Sequence, residues 1–358
     1  MRWNFDYGYA RVRDLAIHCG RHPRSGKDVV TSIEVGGEQV SPTQRFWTSF
    51  FVRFGIAENV FKYFSHQEVF ERISERAQND LVRYCIERDT DGMSRILAVT
   101  NPRRSVIQHH EVMDLISRHE GGNVVYNEGT ISSTHVPRSG ARAFSIHGDA
   151  FQQRFVMDTP IDGYSRPKIY LSLLRMVCSN GAIGYSPAFR SEISAGKDLS
   201  HCITRALESY DNEDGYCALR HRFESAQRSW ASIHECHRLY KVLARMQGKQ
   251  ELRAEARMAD FYRVTGNLHE IYGLANLDAL SVKRQRVLPA RCRVYDLINY
   301  ASELATHHAR PTGQRNLQAY IGSLISDEYD MEGTAEKVED FKDFFVASDH
   351  GHSPLSLN

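Results

Sequence analysis

The pattern of hydrophobic and polar positions divides the sequence into four stretches: a polar arm, a set of helices, a region of strands and a helical C-terminal half. Residues 1–40 are polar and rich in glycine, which predicts a loosely packed N-terminal arm. Aromatic side chains then recur at helical spacing, and they predict a helix that Ser41 caps and Gly55 ends. Two further amphipathic helices are predicted at about 57–64 and 66–78.

From Leu81 the pattern becomes that of β-strands. The runs LVRYCIER and MSRILAVT flank the turn signal DTDG, which predicts a hairpin. A helix at about 107–119 is followed by four strand-like runs, NVVY, TISSTHV, ARAFSIH and QRFVMD. The apolar run 167–178 fits either a helix or a strand, and residues 191–196 are expected to close the sheet.

After residue 198 the periodicity is almost entirely helical. The predicted helices span about 199–210, 216–247, 251–273, 287–309 and 314–327. The fold class is therefore α+β, with leading helices, a central mostly antiparallel sheet with packed helices, and a helical C-terminal half. The expected domains are an arm at 1–40, an α+β core at 41–198, a helical region at 199–326 and an acidic tail at 327–358.

Composition narrows the class of protein. Of the 358 residues, 41% are hydrophobic and 25% are charged, as in soluble globular domains. No apolar run is long enough to span a bilayer, and the N-terminus lacks the apolar centre of a secretory signal. The seven cysteines are widely spaced and never form Cys-x-x-Cys, which is typical of a reducing compartment. We expect a cytoplasmic protein with no membrane partner.

The charge is uneven along the chain although the net charge is only +1. Residues 220–315 contain 17 lysines and arginines against 9 acids, whereas residues 327–349 contain 9 acids against 2 lysines. Aromatic residues alternate with basic ones in the basic region, a mixture that suits single-stranded nucleic acid. The predicted phosphate contacts are Arg103, Arg104, Lys283, Arg284, Arg286 and Arg291. A solvated face, or a clamp onto the acidic tail, is the alternative interpretation.

Two motifs partly match known ligand-binding motifs. The segment from Gly20 to Asp28 looks like a phosphate loop, but five residues separate its glycines and Asp28 stands where Ser or Thr would bind magnesium. His234 and His237 share a helix face, but two ligands do not make a zinc site. The sequence therefore predicts no cofactor, no metal site and no catalytic residue.

Cys178 ends the apolar run and precedes Asn180-Gly181. A nucleophilic cysteine needs a base and a lowered pKa, and any of the 17 histidines could approach it in the fold. The alternative is that Cys178 continues a buried face and that Asn180-Gly181 makes the turn that follows it. The second interpretation is favoured, and the first stays open.

The order of the segments carries a family resemblance over about residues 40–200. The segment AFSIHGDAFQQRFVMDTPIDG leads into PKIYLSLLRMVCSNGAIGYSPAFRSE, and the marker positions are Leu174, Arg175, Cys178, Ser179, Asn180 and Gly181. The chain resembles the phage- and plasmid-type family of domain of unknown function 932. The element order is also broadly similar to that of phage single-strand annealing proteins, which implies oligomeric rings around single-stranded DNA.

The leading hypothesis is a non-enzymatic nucleic-acid-binding protein of a mobile element, such as a single-strand annealing or accessory recombination factor. A Cys-dependent or metal-dependent enzyme is the second hypothesis. An interaction or assembly protein without nucleic-acid binding, whose acidic tail and helical half dock a partner, is the third; a homo-oligomer is also expected. These hypotheses rest on the resemblance and on the distribution of basic and aromatic residues.

Overall fold

The computed structural model describes residues 4–21, 26, 28–88, 92–146, 148–175, 181–183, 190–193, 198–228 and 294–303. The helices are α1 (Gln44–Phe54), α2 (His66–Ala77), α3 (His109–Arg118), α4 (Leu199–Ser209), α5 (Glu213–Arg228) and α6 (Val294–Glu303). The first strands are β1 (Asn4–Arg11), β2 (Ala16–Arg21), β3 (Asp28–Val35), β4 (Glu38–Pro42), β5 (Leu81–Arg88) and β6 (Ser94–Thr100). The later strands are β7 (Gly122–Asn127), β8 (Thr130–His135), β9 (Ala143–Ile146), β10 (Asp149–Pro160), β11 (Lys168–Arg175), β12 (Gly181–Ile183) and β13 (Arg190–Glu192).

The chain divides into two compact units. The first comprises 1–133, 158–167 and 193–206, and the second comprises 134–157, 168–192 and 207–358. The first unit contains a six-stranded sheet with the order β1-β5-β6-β4-β3-β2. In this sheet β1 pairs antiparallel with β5, and β5 with β6, while β4 runs parallel to β6.

Helix α1 packs against β6 and anchors the apolar core of the first unit. The Thr43 side chain accepts a hydrogen bond from the Phe46 backbone, and Gly55 ends the helix in the left-handed conformation with φ 64°. Phe46 and Phe50 face inward from α1 and are fully buried. The Ser49 hydroxyl accepts a hydrogen bond from the Val99 amide at 3.0 Å, so the helix satisfies a β6 amide beyond the two β6 residues that pair with β4.

Arg88 joins three strands of the same sheet through charged hydrogen bonds. Its guanidinium donates to both carboxylate oxygens of Glu38 on β4, at 2.6 and 2.7 Å. It also donates to Asp6 on β1 at 2.5 Å and to Ser94 on β6 at 3.0 Å. This forked pairing supplies geometric specificity as well as attraction, because the planar guanidinium matches the carboxylate.

The second sheet has the order β12-β11-β10-β8-β7, with β13 paired to β11 and β9 paired to β10. In the second unit, the Tyr216 hydroxyl of α5 donates to the Arg154 carbonyl at 2.6 Å. The Tyr295 hydroxyl of α6 donates to Asp149 at 2.6 Å, and the Phe223 ring lies 6.4 Å from the Tyr295 ring. Aromatic packing and buried hydroxyl contacts thus fix these two helices in the second unit.

The α+β class, the hairpin of β5 and β6 and the helix of residues 109–118 agree with the sequence predictions. The first 40 residues differ, because residues 4–42 form four strands of the sheet and no loosely packed arm, so strands precede the first helix. The cap of α1 is Thr43 and not Ser41, because Ser41 lies in β4. The expected helices within 229–293 and 304–327, and the acidic tail, lie outside the described residues.

The apolar run 167–178 resolves as a strand over Lys168–Arg175. It pairs with β12 and β13, and its buried positions include Ile169, Leu171 and Leu173. A strand that is covered on both faces reads as a continuous apolar run, which periodicity alone does not separate from a buried helix. No helix within the described ranges is long and apolar enough to cross a bilayer.

We expect Phe50→Ala to lower the free energy of unfolding by about 3–5 kcal/mol, because it opens a cavity in the core. The Phe50 side chain is 0% exposed and stacks on Phe70 with 4.7 Å between ring centroids. Urea titration followed by circular dichroism measures the change. Val52→Ala on the same helix is the control, and since Val52 is 59% exposed its effect should stay within about 0.5 kcal/mol. Equal losses in the two variants would contradict this packing.

The Glu38–Arg88 pair predicts a pH-dependent contribution to stability. Hydrogen bonds from Arg88 lower the pKa of Glu38, against a smaller opposing effect of burial. A carboxylate with a lowered pKa stabilises the fold above its unfolded pKa of about 4.3, and this contribution is lost as the pH falls through the folded value. Glu38→Gln should therefore be less stable than the wild type at pH 7, and the difference should shrink in acid. The exposed Glu58→Gln should show no such trend.

Candidate anion-binding site

The two faces of β5 are chemically different. Val82, Tyr84 and Ile86 belong to the apolar core on the α1 side. The alternate residues Arg83 and Glu87 point to the opposite face, because successive side chains of a strand alternate. Both are almost completely buried, with 4% and 0% exposure. A sheet face that buries charged groups needs partners for each of them.

Ion pairs and hydrogen bonds satisfy most of this buried polar face. Glu87 pairs with Arg95 on β6 at 3.1 Å. Arg45, at the start of α1, forms a forked ion pair with Asp162, with one N–O distance of 3.2 Å. The Tyr7 hydroxyl donates to the Ile161 carbonyl at 2.8 Å, and burial raises the pKa of Tyr7. These contacts fix the segment that follows β10 against the sheet.

Arg83 is bound differently from the other buried charges. Its guanidinium donates to the Arg104 carbonyl at 2.6 Å and to the Thr100 hydroxyl at 3.3 Å. Among the described residues it forms no ion pair with a carboxylate. Burial lowers the pKa of Arg83, which expresses the cost of holding its charge away from water.

Gly163 allows the covering segment to lie directly on Arg83. Gly163 has φ 71°, and a Cβ atom at this position would approach the Arg83 guanidinium to 2.2 Å. Any larger residue would therefore strain the backbone and displace the arginine. The next residue, Tyr164, donates its backbone amide to Asp162 at 2.9 Å and accepts from the Arg104 guanidinium at 2.5 Å.

A cavity of about 220 Å³ opens beside these contacts at the end of β6. It is lined by Ser49, Val52, Arg53, Val99, Thr100, Asn101, Arg104 and Tyr164. Two of these residues are arginines and none is acidic. Because Arg83 contacts both Thr100 and Arg104, a third guanidinium lies directly behind the lining.

The arginines at the cavity have hydrogen-bonding capacity to spare. The Nε atoms of Arg53 and Arg83 are buried and have no hydrogen-bond partner in the part of the chain that the structure describes. Arg53 makes long contacts of 3.4 Å with Asp80 and with the Leu81 carbonyl. The Arg104 guanidinium donates to the Tyr164 carbonyl, and the Arg104 side chain is exposed. Such a set of donors and positive charges is complementary to an oxyanion.

The structure places one of the residues that the sequence singled out, Arg104, in the lining of this cavity. Arg103 is exposed beside Arg104 on a turn where the Asn101 side chain accepts from the Arg103 amide at 2.9 Å. The other predicted contacts, Lys283, Arg284, Arg286 and Arg291, lie outside the described residues.

The family-marker positions are described in part. Leu174 on β11 pairs with Gly181 on β12, and Leu174 is partly buried. Arg175 is the last residue of β11, and only its backbone is described. Cys178, Ser179 and Asn180 lie outside the described residues, so the two interpretations of Cys178 stay as predictions.

Sequence reasoning missed Arg53, Arg83 and Tyr164. Arg83 carried a usable signal, because it interrupts the apolar run LVRYCIER at a position that is buried in the hairpin. Arg53 and Tyr164 carried none, because each reaches the cavity only through tertiary packing of distant segments.

The two ends of the motif between Gly20 and Asp28 lie in paired strands. Gly20 pairs with Val29, and Arg21 with Asp28, between the antiparallel strands β2 and β3. A phosphate loop instead leads from a strand into a helix, where the helix N-terminus contributes to binding. Among the described residues, no group of three His, Cys, Asp or Glu side chains is arranged to hold a metal ion.

Comparisons of the chain with models of protein families, with curated proteins and with solved structures find no match. The interpretation of the site therefore rests on its own geometry and charge.

The buried thiol beneath the polar face predicts a pattern of cysteine reactivity. Cys85 is buried and burial raises its pKa, so little thiolate forms near neutral pH. We expect iodoacetamide at pH 8 to modify the exposed Cys19 and Cys217 in the folded protein and to modify Cys85 only after denaturation. Mass spectrometry of the digested protein identifies the modified sites. Rapid modification of Cys85 in the native state would contradict its burial.

Proposed function

We propose that the protein binds nucleic acid and that a backbone phosphate occupies the cavity beside β6. The observation that supports this most directly is that Arg53 and Arg104 line a cavity whose lining contains no acid, and that the buried Arg83 contacts two of the lining residues. A phosphate oxygen in the cavity would accept hydrogen bonds from the guanidinium groups of Arg53 and Arg104, which line it.

A polymer suits this site better than an isolated small anion, because positive charge continues beyond the cavity. Arg103 is exposed next to Arg104 and forms no ion pair among the described residues. In the sequence, residues 220–315 carry 17 basic against 9 acidic residues. Several phosphates bound in succession release counterions, and this release supplies much of the affinity of proteins for nucleic acid.

The finer role that we propose is that of a single-strand annealing or accessory recombination factor, without a chemical step of its own. The resemblance to the phage- and plasmid-type family supports this direction through the setting in which that family occurs. A cytoplasmic location and self-association are part of the same proposal. The interspersed aromatic and basic residues favour single strands over duplexes.

We expect Arg104→Ala to weaken binding to a fluorescently labelled single-stranded oligonucleotide about tenfold at low salt, since each lost phosphate contact removes both attraction and counterion release. The plot of log affinity against log salt should become shallower by about 0.7. Fluorescence anisotropy across a salt series measures both quantities.

Arg118→Ala is the matched control, because Arg118 is an exposed arginine on α3 that is not part of the cavity. Its slope should equal that of the wild type. Pyrophosphate should compete with the oligonucleotide for the wild type and compete less well for Arg104→Ala. Absence of binding by the wild type at low salt would overturn the proposed function, and equal slopes for the two variants would remove Arg104 from the interface.

A further inference from the structure

We propose that Tyr9 is a stacking residue that receives a nucleobase from the strand whose phosphate occupies the cavity. This inference rests on the proposed function and deepens it, because it assigns the preference for single strands to one side chain. The ligand class is single-stranded nucleic acid with unpaired bases, and contact with an aromatic ring would be largely independent of base identity.

The position of Tyr9 follows from strand register. Tyr9 on β1 lies directly opposite Arg83 on β5, and Arg83 lies opposite Thr100 on β6. The three side chains therefore form one row across the buried polar face, and Thr100 lines the cavity. Two strand spacings separate the ends of the row, which places the backbone of Tyr9 about 10 Å from that of Thr100.

The covering segments of this face stop at Tyr9. Tyr7, two residues away on the same face, is held under the Ile161 carbonyl, and Arg83 lies under Gly163. Tyr9 itself is 62% exposed, an unusual exposure for a ring beside a buried row. A large aromatic surface next to an excess of positive charge can receive a flat, apolar base that carries a phosphate.

The next residue pair on this face of β1 and β5 also combines a basic side chain with an apolar one. Arg11 lies opposite Leu81, and both share the face of Tyr9 by strand alternation. Arg11 is exposed and Leu81 is 50% exposed, so a basic group and an apolar group flank the tyrosine ring. Two acidic residues near this end of β1 and β5 form ion pairs with arginines. Asp14 lies 3.6 Å from Arg13, and Asp80 lies 3.4 Å from Arg53.

This arrangement would distinguish single-stranded from duplex nucleic acid, because only the single strand has bases that can reach Tyr9. A duplex stacks its bases on one another and presents phosphates outward, so it could reach the arginines but not place a base on Tyr9. A single strand can do both at once. We therefore expect the tyrosine to contribute to binding of single strands and not to binding of duplexes.

The experiment compares Tyr9→Ala and Tyr9→Phe by fluorescence anisotropy with three probes of equal length. The probes are a single-stranded oligonucleotide, the same backbone with abasic positions, and a duplex. Tyr9→Ala should bind the first probe about 5- to 150-fold more weakly than the wild type, whereas Tyr9→Phe keeps the ring and should bind nearly normally. The abasic strand and the duplex should bind both variants and the wild type equally.

Tyr63→Ala is the matched control, because Tyr63 is an exposed tyrosine, 78% accessible, outside this face. Thermal melting confirms that each variant is folded. If the wild type binds the oligonucleotide but Tyr9→Ala loses no more affinity than Tyr63→Ala, the stacking role is overturned and phosphate binding stands. If the wild type binds none of the probes, the proposed function fails and this inference fails with it.

Discussion

The arrangement of the first unit depends on one buried guanidinium, that of Arg83. It holds the turn after β6 through the Arg104 carbonyl, holds the end of β6 through Thr100, and leaves no room for a side chain at Gly163. Two segments that are distant in sequence, residues 100–104 and Gly163, therefore meet on one side chain of β5. An arginine is suited to this because its planar group offers five donors at fixed angles. Neutral acceptors compensate the charge of Arg83 only partly, so the surroundings of its guanidinium keep a positive charge.

The fold could be predicted from the sequence where a local signal decides the structure. The aromatic spacing and Gly55 located helix α1, and the turn signal DTDG located the hairpin of β5 and β6. The strands of residues 4–42 were missed because most of their residues are polar or partly exposed, and only a few positions, such as Ile33, Val35 and Val40, are fully buried. The apolar run of β11 could not be assigned because both of its faces are covered.

The candidate site was predictable only where charge is clustered in the sequence. Arg103 and Arg104 are adjacent and follow a predicted strand, which is a signal that composition can show. Arg53 and Arg83 are single arginines within a helix and a strand. They come near Arg104 only because folding joins distant positions, as in the hydrogen bond between Val99 and Ser49, which are 50 positions apart. Long-range contacts of this kind depend on topology, which a single sequence does not specify.

The pairing between β4 and β6 is the shortest described connection within the six-stranded sheet. Two residue pairs, Ser41 with Arg95 and Pro42 with Ile96, connect the three strands β1, β5 and β6 to the three strands β2, β3 and β4. Few ladder hydrogen bonds oppose separation at this point, and proline supplies no donor. Resistance to opening there falls to the shared apolar core and to the Arg88–Glu38 pair. Strands β1, β5 and β6 keep their own ladder if β2, β3 and β4 separate, so opening at this point leaves the row of Tyr9, Arg83 and Thr100 paired.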